Sequence, residues 1–219
     1  MNKNNARGRE VVLEVPLPSD WDKTALTPQK SYKSRIEYIV QRAQKLGKGS
    51  SRTAFIIDYQ GRQTVLKVAH NAKGMAQNGA EAQILDDPYI ADIVIPIIDY
   101  DEEHAEPVWI HTEMANKATE KKLCDIMKCG KLINLVGRAE YQALGKRGWA
   151  FNGAQQYYES LDEQNKETFD EYTDSLAELT GFGLNLGDFQ RAANWGLYRG
   201  HPVVIDLGFT NEVAATYYR

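Results

Sequence analysis

The sequence predicts an α+β fold of two lobes with a cleft between them. Strand-like runs with one helical segment fill the first half of the chain, and helical periodicity dominates residues 117–184. Strand-like runs then return over the last thirty-odd residues. We therefore expect an N-terminal antiparallel sheet with one helix, followed by a reduced helical C-terminal lobe that ends in a hairpin.

Composition favours a globular protein without a polyanionic partner. The 219 residues are 42% hydrophobic and 26% charged, which is enough for a sizeable core. The formal net charge of -4 argues against a broad nucleic-acid-binding surface, so no nucleic acid is expected as a partner. The start is polar, and no apolar run approaches the roughly 18 residues of a membrane span. These features predict a cytoplasmic protein with no membrane partner.

The two cysteines predict free thiols. Cys124 and Cys129 lie in a Lys-rich stretch that has no histidine or further cysteine at zinc-ligand spacing. Unpaired thiols of this kind are typical of the cytosol.

Residues 1–45 predict an extension followed by a lead-in helix. Residues 10–17 have the character of a short strand bounded by prolines, and residues 19–31 are rich in turn formers. Residues 32–45 then show the spacing of one helix face. The apolar residues at this spacing are Ile36, Ile39, Val40 and Ala43.

Residues 46–115 predict a small lobe made of a sheet and one helix. The expected strands cover residues 53–59, 64–69, 93–100 and 107–114, and the expected helix covers 76–85. Gly61 lies between the first two strands and suits a tight hairpin.

Residues 116–219 predict a truncated helical lobe closed by a second hairpin. The breaks between helices fall near Gly130, at 145–153 and at 181–183. The clearest helix spans 165–179, with Phe169, Tyr172, Leu176 and Leu179 on one face. The closing strands are expected at 195–198 and 202–207.

The closing hairpin carries residues suited to phosphoryl transfer. Asp188, Asn194 and Asp206 occur in this order on a strand and loop pattern. Transfer of a phosphoryl group depends on positioning and on Mg²⁺ held by hard oxygen ligands, which Asn194 and Asp206 provide. Asp188 provides a carboxylate that can accept the proton of an attacking hydroxyl. Asp and Asn are also ordinary loop residues, so these three could simply form turns. The sequence upstream decides between a phosphoryl-transfer site and ordinary turns.

Upstream, a glycine-rich segment precedes the first predicted hairpin. Gly47 and Gly49 allow the backbone to approach phosphate groups, and Ser50 and Ser51 add hydroxyl and amide donors. The alternative is a helix end followed by a flexible turn.

A lysine in an apolar strand supports the interpretation that the glycine-rich segment binds phosphate. Lys67 lies in the middle of residues 65–69, which are otherwise apolar. A buried ammonium needs an anion, which Glu81 on the next helix or the phosphates of a nucleotide could supply. The alternative is a lysine on the solvent side of a half-exposed strand.

Taken together, these motifs resemble the protein-kinase-like superfamily in order and approximate spacing, over residues 45 to 210. The resemblance implies that the protein binds ATP and Mg²⁺. It implies a catalytic role for Asp188 and a phosphate-contacting Lys67 paired with Glu81. The other implied roles are phosphate binding by Gly47, Gly49, Ser50 and Ser51, adenine binding by the hinge residues Glu113, Met114 and Ala115, and metal binding by Asn194 and Asp206.

The chain departs from the family pattern at several positions. Arg52 replaces the third glycine, and it either reaches a phosphate or covers the loop from outside. Leu186 and Gly187 precede the catalytic aspartate, as in small-molecule and atypical kinases, so control by activation-loop phosphorylation is not expected. Asn194 stands one position later than in the family's catalytic-loop signature.

The chain also ends thirteen residues after Asp206, which leaves no peptide-docking helices. Substrate recognition is therefore expected in the helical insert or the N-terminal extension. The insert offers a basic and aromatic stretch at 145–151, for which an exposed loop with an anchoring tryptophan is the alternative.

The resemblance implies a compact atypical ATP- and Mg²⁺-dependent phosphotransferase, in first place a protein Ser/Thr/Tyr kinase-like enzyme. The alternatives are a small-molecule kinase, a nucleotidyl transferase, and a pseudokinase that acts as a nucleotide-binding or inhibitory interaction module. Small kinase-like proteins of this kind occur in bacteriophages and bacteria, which implies the host cytoplasm as location if the chain is phage-encoded. The motifs leave the phosphoacceptor unknown, because acceptor choice depends on pocket shape.

Overall fold

The N-terminal lobe contains an antiparallel sheet, as predicted. The computed structural model describes residues 22–84 and 90–218. The sheet strands are β1 (Gln44–Lys48), β2 (Arg52–Tyr59), β3 (Arg62–Ala69), β4 (Ile97–Tyr100) and β5 (Trp109–Glu113). They pair antiparallel in the order β1-β2-β3-β5-β4. Two helices accompany the sheet, α1 (Tyr32–Ile39) before it and α2 (Ala72–Ala82) after β3.

The central hairpin of the sheet follows from its turn residues. Gln60 and Gly61 connect β2 to β3 and have positive φ values of 53° and 75°. A two-residue loop of this handedness matches the twist of the strands that it joins. The resulting register pairs Ala54 with Lys67, which places that lysine in the middle of the sheet.

A small core ties the segment before the sheet to the lobe. Leu26 and Ile39 are fully buried against Phe55, Leu66 and neighbouring apolar residues of the sheet. The burial of these side chains supplies the main driving force for this packing.

Hydrogen bonds strengthen the same attachment. The Thr27 hydroxyl donates to Asp101 Oδ1 over 3.1 Å and accepts from the Trp109 indole N–H over 3.0 Å. Residues of the predicted extension therefore contribute to the small lobe.

The predicted helix over 32–45 is wrong in its C-terminal part. The helix ends at Ile39, and Gln44–Lys48 forms the edge strand β1. All five residues of β1 are exposed, so no apolar alternation marks them as a strand. Val40, which the helical spacing placed on the buried face, is 56% exposed. Pairing with β2, and not local propensity, decides the conformation of this segment.

Other boundaries differ less. The strand expected at 93–100 begins at Ile97, because Val94 forms an isolated parallel bridge with Val204 of the other lobe. The helix expected at 76–85 begins four residues earlier, at Ala72, where the Asn71 side chain accepts from the Gly74 N–H. The same helix ends at Ala82, three residues before the expected end at 85. The strand expected at 10–17 lies outside the described residues.

The C-terminal lobe is helical and closes with a hairpin, as predicted. Its helices are α3 (Glu120–Met127), α4 (Leu132–Leu144), α5 (Trp149–Glu159), α6 (Glu163–Glu178) and α7 (Asn211–Tyr217). Its strands are β6 (Asn116–Lys117), β7 (Trp195–Tyr198) and β8 (His201–Val204), which form a three-stranded sheet in that order. The predicted break at 145–153 is shorter than expected, since α5 begins at Trp149.

The predicted apolar face of the helix at 165–179 is buried in the core of this lobe. Phe169, Leu176 and Leu179 of the α6 region are fully buried and pack with Trp195. Tyr172 is partly buried against the same cluster.

Within the described residues, no helix is both long enough and apolar enough to cross a membrane. Cys124 and Cys129 are free and buried, as expected, with their sulfur atoms 2.8 Å apart. The division of the chain at residues 45 and 115 into extension, small lobe and large lobe stays a prediction.

A matched pair of glycines tests the packing of α4 against α5. A Cβ atom at Gly137 would lie 2.7 Å from the backbone carbon of Ala150, whereas at Gly153 the nearest atom, Asn134 Oδ1, is 3.8 Å away. Both glycines are inside helices, so alanine brings each the same gain in propensity, about 0.5–1 kcal/mol. We expect Gly153→Ala to raise the free energy of unfolding in urea, and Gly137→Ala to lower it by about 1–3 kcal/mol because the helices must separate. Equal effects of the two substitutions would contradict the described packing.

Candidate active site

A cavity of about 610 Å³ lies between the two lobes. Its volume falls within the roughly 300–1,000 Å³ that is usual for small-molecule sites. Most of the predicted site residues line it: Gly47, Gly49, Ser50, Ser51, Lys67, Glu113, Ala115, Asp188, Asn194 and Asp206. Of the other predicted residues, Glu81 lies behind the wall, bonded to Lys67, and Met114 does not line the cavity.

The glycine-rich segment covers the end of β1, where Gly47 lies, and the connection to β2, where Gly49, Ser50 and Ser51 lie. A Cβ atom added at Gly47 would have no described atom within 4 Å. The Gly49 N–H donates to the Arg52 carbonyl over 2.8 Å. Ser50 Oγ accepts from Lys73 Nζ over 3.0 Å, and Ser51 Oγ bonds to the side chain of Gln77. The segment therefore leaves backbone room over the cavity, while Ser51 has its hydroxyl committed to α2.

Lys67 and Glu81 form a buried ion pair. The ammonium of Lys67 lies 2.7 Å from Glu81 Oε2 and donates to the Ile205 carbonyl over 2.7 Å. Lys67 is 9% exposed and Glu81 is 1% exposed, so the alternative of a solvent-facing lysine is wrong. The pair connects β3, α2 and the loop after β8. Separating either partner would leave an uncompensated buried charge.

Arg52 takes neither of the two positions considered from the sequence. Its guanidinium points inward, with Nη1 2.6 Å from Glu81 Oε1 and Nη2 2.5 Å from Asp206 Oδ1. Nη1 also donates to Asn78 Oδ1 over 3.2 Å, and the residue is 8% exposed. Burial by itself disfavours the charged form, but Glu81 and Asp206 outweigh it and raise the pKa of Arg52. Arg52 thus links the small lobe to the loop that carries Asp206.

Two short 3-10 turns hold Asp188 and Asn194. Residues Leu186–Gln190 form the first turn, where Asn185 accepts from the Gly187 N–H over 3.0 Å. Ala192–Asn194 form the second turn, and Asn194 Nδ2 donates to the Asp188 carbonyl over 2.9 Å. The second turn takes up the additional residue of the loop, so that Asn194 still faces the cavity. Its Oδ1 is the atom suited to a cation.

The two aspartates of the site have pKa values shifted in opposite directions. Burial first, and then the nearby charge of Asp206, raise the pKa of Asp188, against smaller opposing effects of Arg191 and Asn194. Burial also acts to raise the pKa of Asp206, but the charges of Arg52 and Lys67 dominate and lower it. Asp206 therefore stays an anion, while Asp188 is the better proton acceptor.

Apolar side chains also line the cavity. They belong to Leu46, Ala54, Val65, Ile95 and Ile205. A Cβ atom on Gly196 of β7 would lie 2.6 Å from the Ala115 side chain, so the hinge packs directly on the closing hairpin.

The cavity residues that reasoning from the sequence missed include Gln77, Arg191, Phe209 and Tyr218. Arg191 Nη1 lies 3.9 Å from Asp188 Oδ1 and its side chain is 76% exposed. Its charge, three positions after the catalytic candidate, was a signal in the sequence.

The other missed residues had no such signal. Tyr218 follows α7, stands edge-on to Phe209 at 5.1 Å, and has the ammonium of Lys73 4.1 Å from its ring centre. These contacts arise because α7 packs on α2.

The donor set fits a hard divalent cation. The described residues contain no group of three or more His, Cys, Asp or Glu placed to hold a metal. Mg²⁺ commonly binds one or two protein oxygens and takes its other ligands from phosphates and water. Asp206 and Asn194 match that need, and the guanidinium on Asp206 Oδ1 shows that this carboxylate accepts a cation.

The raised pKa of Asp188 predicts a gain in stability when its charge is removed. Ionised Asp188 lowers the stability of the fold because its folded-state pKa exceeds the ordinary 3.8. The loss develops as the pH rises from 3.8 to the folded-state pKa and stays constant above it. We expect Asp188→Asn to raise the melting temperature at pH 7, and to raise it by less at pH 4. Asp125→Asn, an exposed control, should not show this pattern. A lower melting temperature for Asp188→Asn at pH 7 would contradict the described environment.

Comparisons with known proteins find similar solved structures only. No family model matches the chain, and no curated protein matches it. The crystal structure of aminoglycoside phosphotransferase APH(4)-Ia is 14% identical with a TM-score of 0.36, covering 80% of this chain and 71% of that chain. A thermostable mutant of that enzyme, in a ternary complex with ADP and hygromycin B, is 17% identical with a TM-score of 0.36, covering 80% and 70%. These low similarities carry no information on substrate. By its own strand order, buried Lys67–Glu81 pair and closing hairpin, the chain has the two-lobe α+β architecture that the sequence predicts.

Proposed function

We propose that the protein is a compact ATP- and Mg²⁺-dependent phosphotransferase. One observation carries the proposal: a single cavity brings Lys67, with Glu81 behind it, together with Asp188, Asn194 and Asp206. Motifs far apart in the sequence thus meet with the charges that phosphoryl transfer requires.

We propose one orientation of the nucleotide in the cavity. The apolar side chains of the cavity, with Glu113 and Ala115, would receive the adenine, and the segment at Gly47 and Gly49 would cover the phosphates. Lys67 would contact the phosphates while Glu81 holds its ammonium in place. Asn194 and Asp206 would hold Mg²⁺, which when bound neutralises charge on the phosphate oxygens.

The chain's own groups would perform the proton transfer. A hydroxyl of the acceptor gives its proton to the Asp188 carboxylate as its oxygen bonds to the γ-phosphorus. The bond between the γ-phosphorus and the β,γ-bridging oxygen breaks, and ADP leaves. The raised pKa of Asp188 suits this role, and Arg191 provides a positive charge near the reacting oxygen.

We favour a hydroxyl of a protein as the acceptor over a polycationic small molecule. Arg191 stands exposed beside Asp188, and a second cavity joins Gln190 to Arg147 and to Lys146, which is paired with Glu140. This positive charge would repel a polycation such as an aminoglycoside and attract a neutral or acidic segment. A small-molecule kinase for a neutral or anionic hydroxyl compound is the variant of this proposal. The proposed setting is a cytoplasm that supplies ATP, which is the host's if the chain is phage-encoded.

A pseudokinase is the second candidate, and the Arg52–Asp206 contact favours it. A guanidinium already satisfies the carboxylate that would bind the metal. A nucleotide-binding or inhibitory interaction module would keep the cavity and lack transfer. ATP labelled at the γ- or α-phosphate separates transfer, nucleotidyl transfer and binding alone.

We expect ATP with Mg²⁺ to raise the melting temperature, and the γ-phosphate label to appear on an acidic peptide library containing Ser, Thr and Tyr. Asp188→Ala should reduce labelling by about 10²–10⁴-fold because the proton acceptor is lost, and Asp206→Ala should abolish it. Asp125→Ala, an exposed aspartate of α3, should keep full activity.

Other labelling results would favour one of the alternative functions. Stabilisation by ATP without any label would select the pseudokinase, and a label from the α-phosphate alone would select nucleotidyl transfer. Full γ-phosphate transfer by both folded Asp188→Ala and Asp206→Ala variants would overturn the assignment.

A further inference from the structure

Arg52 links two carboxylates that have separate tasks in the proposed site. Nη1 contacts Glu81 and Asn78 of α2, and Nη2 contacts Asp206 Oδ1 in the loop after β8. Glu81 has a second cation, Lys67, on its other oxygen. Glu81 therefore shares two cations, whereas the Nη2 end of Arg52 contacts Asp206 Oδ1.

We propose that Arg52 competes with the divalent cation for Asp206. This inference rests on the proposed metal role of Asp206. A guanidinium at 2.5 Å occupies one lone pair of Oδ1, and two cations at one carboxylate repel each other. The contact of Nη2 with Asp206 therefore weakens metal binding at this carboxylate.

The surroundings of Arg52 allow one end of its guanidinium to move. Nη1 keeps its contacts with Glu81 and Asn78 when Nη2 departs, so the side chain can pivot. At Gly208 a Cβ atom would lie 3.1 Å from Nη2 and 2.5 Å from Gln77 Cβ, so the glycine leaves the space that the guanidinium uses. The small residue at 208 and the arginine at 52 thus belong to one arrangement.

A consequence follows for the order of binding. In the protein without nucleotide, Arg52 holds Asp206 and weakens its affinity for a metal. A nucleotide brings anionic phosphates that offer the guanidinium another partner and the metal further ligands. The metal then enters together with the nucleotide and binds poorly alone.

Direct metal binding tests the competition without any catalytic assay. We would titrate the full chain with Mn²⁺ in the absence of nucleotide and follow free Mn²⁺ by electron paramagnetic resonance. Arg52→Gln should bind Mn²⁺ at least about tenfold more tightly than the wild type, because the competing charge is removed. The double variant with Asp206→Asn should lose this gain. Lys121→Gln, which removes an exposed charge from α3, should bind like the wild type.

Contrary outcomes are clear. Unchanged or weaker Mn²⁺ binding by folded Arg52→Gln, or a gain that survives Asp206→Asn, would overturn the inference. If Arg52→Gln fails to fold, Arg52→Lys serves instead, since its single ammonium cannot span both carboxylates; tighter Mn²⁺ binding is again expected, and unchanged binding would overturn the inference.

The inference and the proposed function fail separately. A Mn²⁺ gain without phosphoryl transfer supports the competition in a binding module, whereas transfer without a Mn²⁺ gain overturns the competition alone.

Discussion

The site depends on the ion pairs that the buried carboxylate of Glu81 forms with Lys67 and Arg52. Glu81 is 1% exposed and lies between Lys67 and Arg52, with the Leu207 N–H donating to it over 3.3 Å. An anion so buried is tolerated only when cations and donors surround it. The need to satisfy it draws β2, β3, α2 and the loop after β8 to one point. The two lobes are thereby held at the distance that forms the cavity.

The same charges divide the work of the two aspartates. The charges of Arg52 and Lys67 outweigh burial and lower the pKa of Asp206, which keeps its carboxylate charged. Burial and the charge of Asp206 raise the pKa of Asp188. A charged carboxylate whose pKa is raised in the folded state lowers the stability of the fold, and the same raised pKa makes it a better proton acceptor. The positive charge of Arg52 sits in the small lobe and that of Arg191 in the large lobe. The balance of cations in the cavity therefore depends on the relative position of the lobes.

Local patterns predicted much of the fold. The hairpin at Gln60 and Gly61 and the buried face of α6 follow from turn chemistry and helical spacing. The strand β1 could not be predicted, because its exposed residues carry no alternation and its conformation comes from pairing with β2. Asn194 illustrates the intermediate case: the sequence showed the additional residue, and only the 3-10 turn Ala192–Asn194 revealed how the loop takes it up.

The sequence by itself determined the chemical groups of the site and their order, since Lys67 in an apolar strand demands an anion and Asp188, Asn194 and Asp206 follow a recognisable pattern. The tertiary structure decided which charges meet. Arg52 contacts Asp206 although 154 positions separate them, and Tyr218 reaches the cavity because α7 packs on α2. Contacts between distant residues depend on packing and on the neutralisation of buried charge, and neither leaves a periodic signal in the chain.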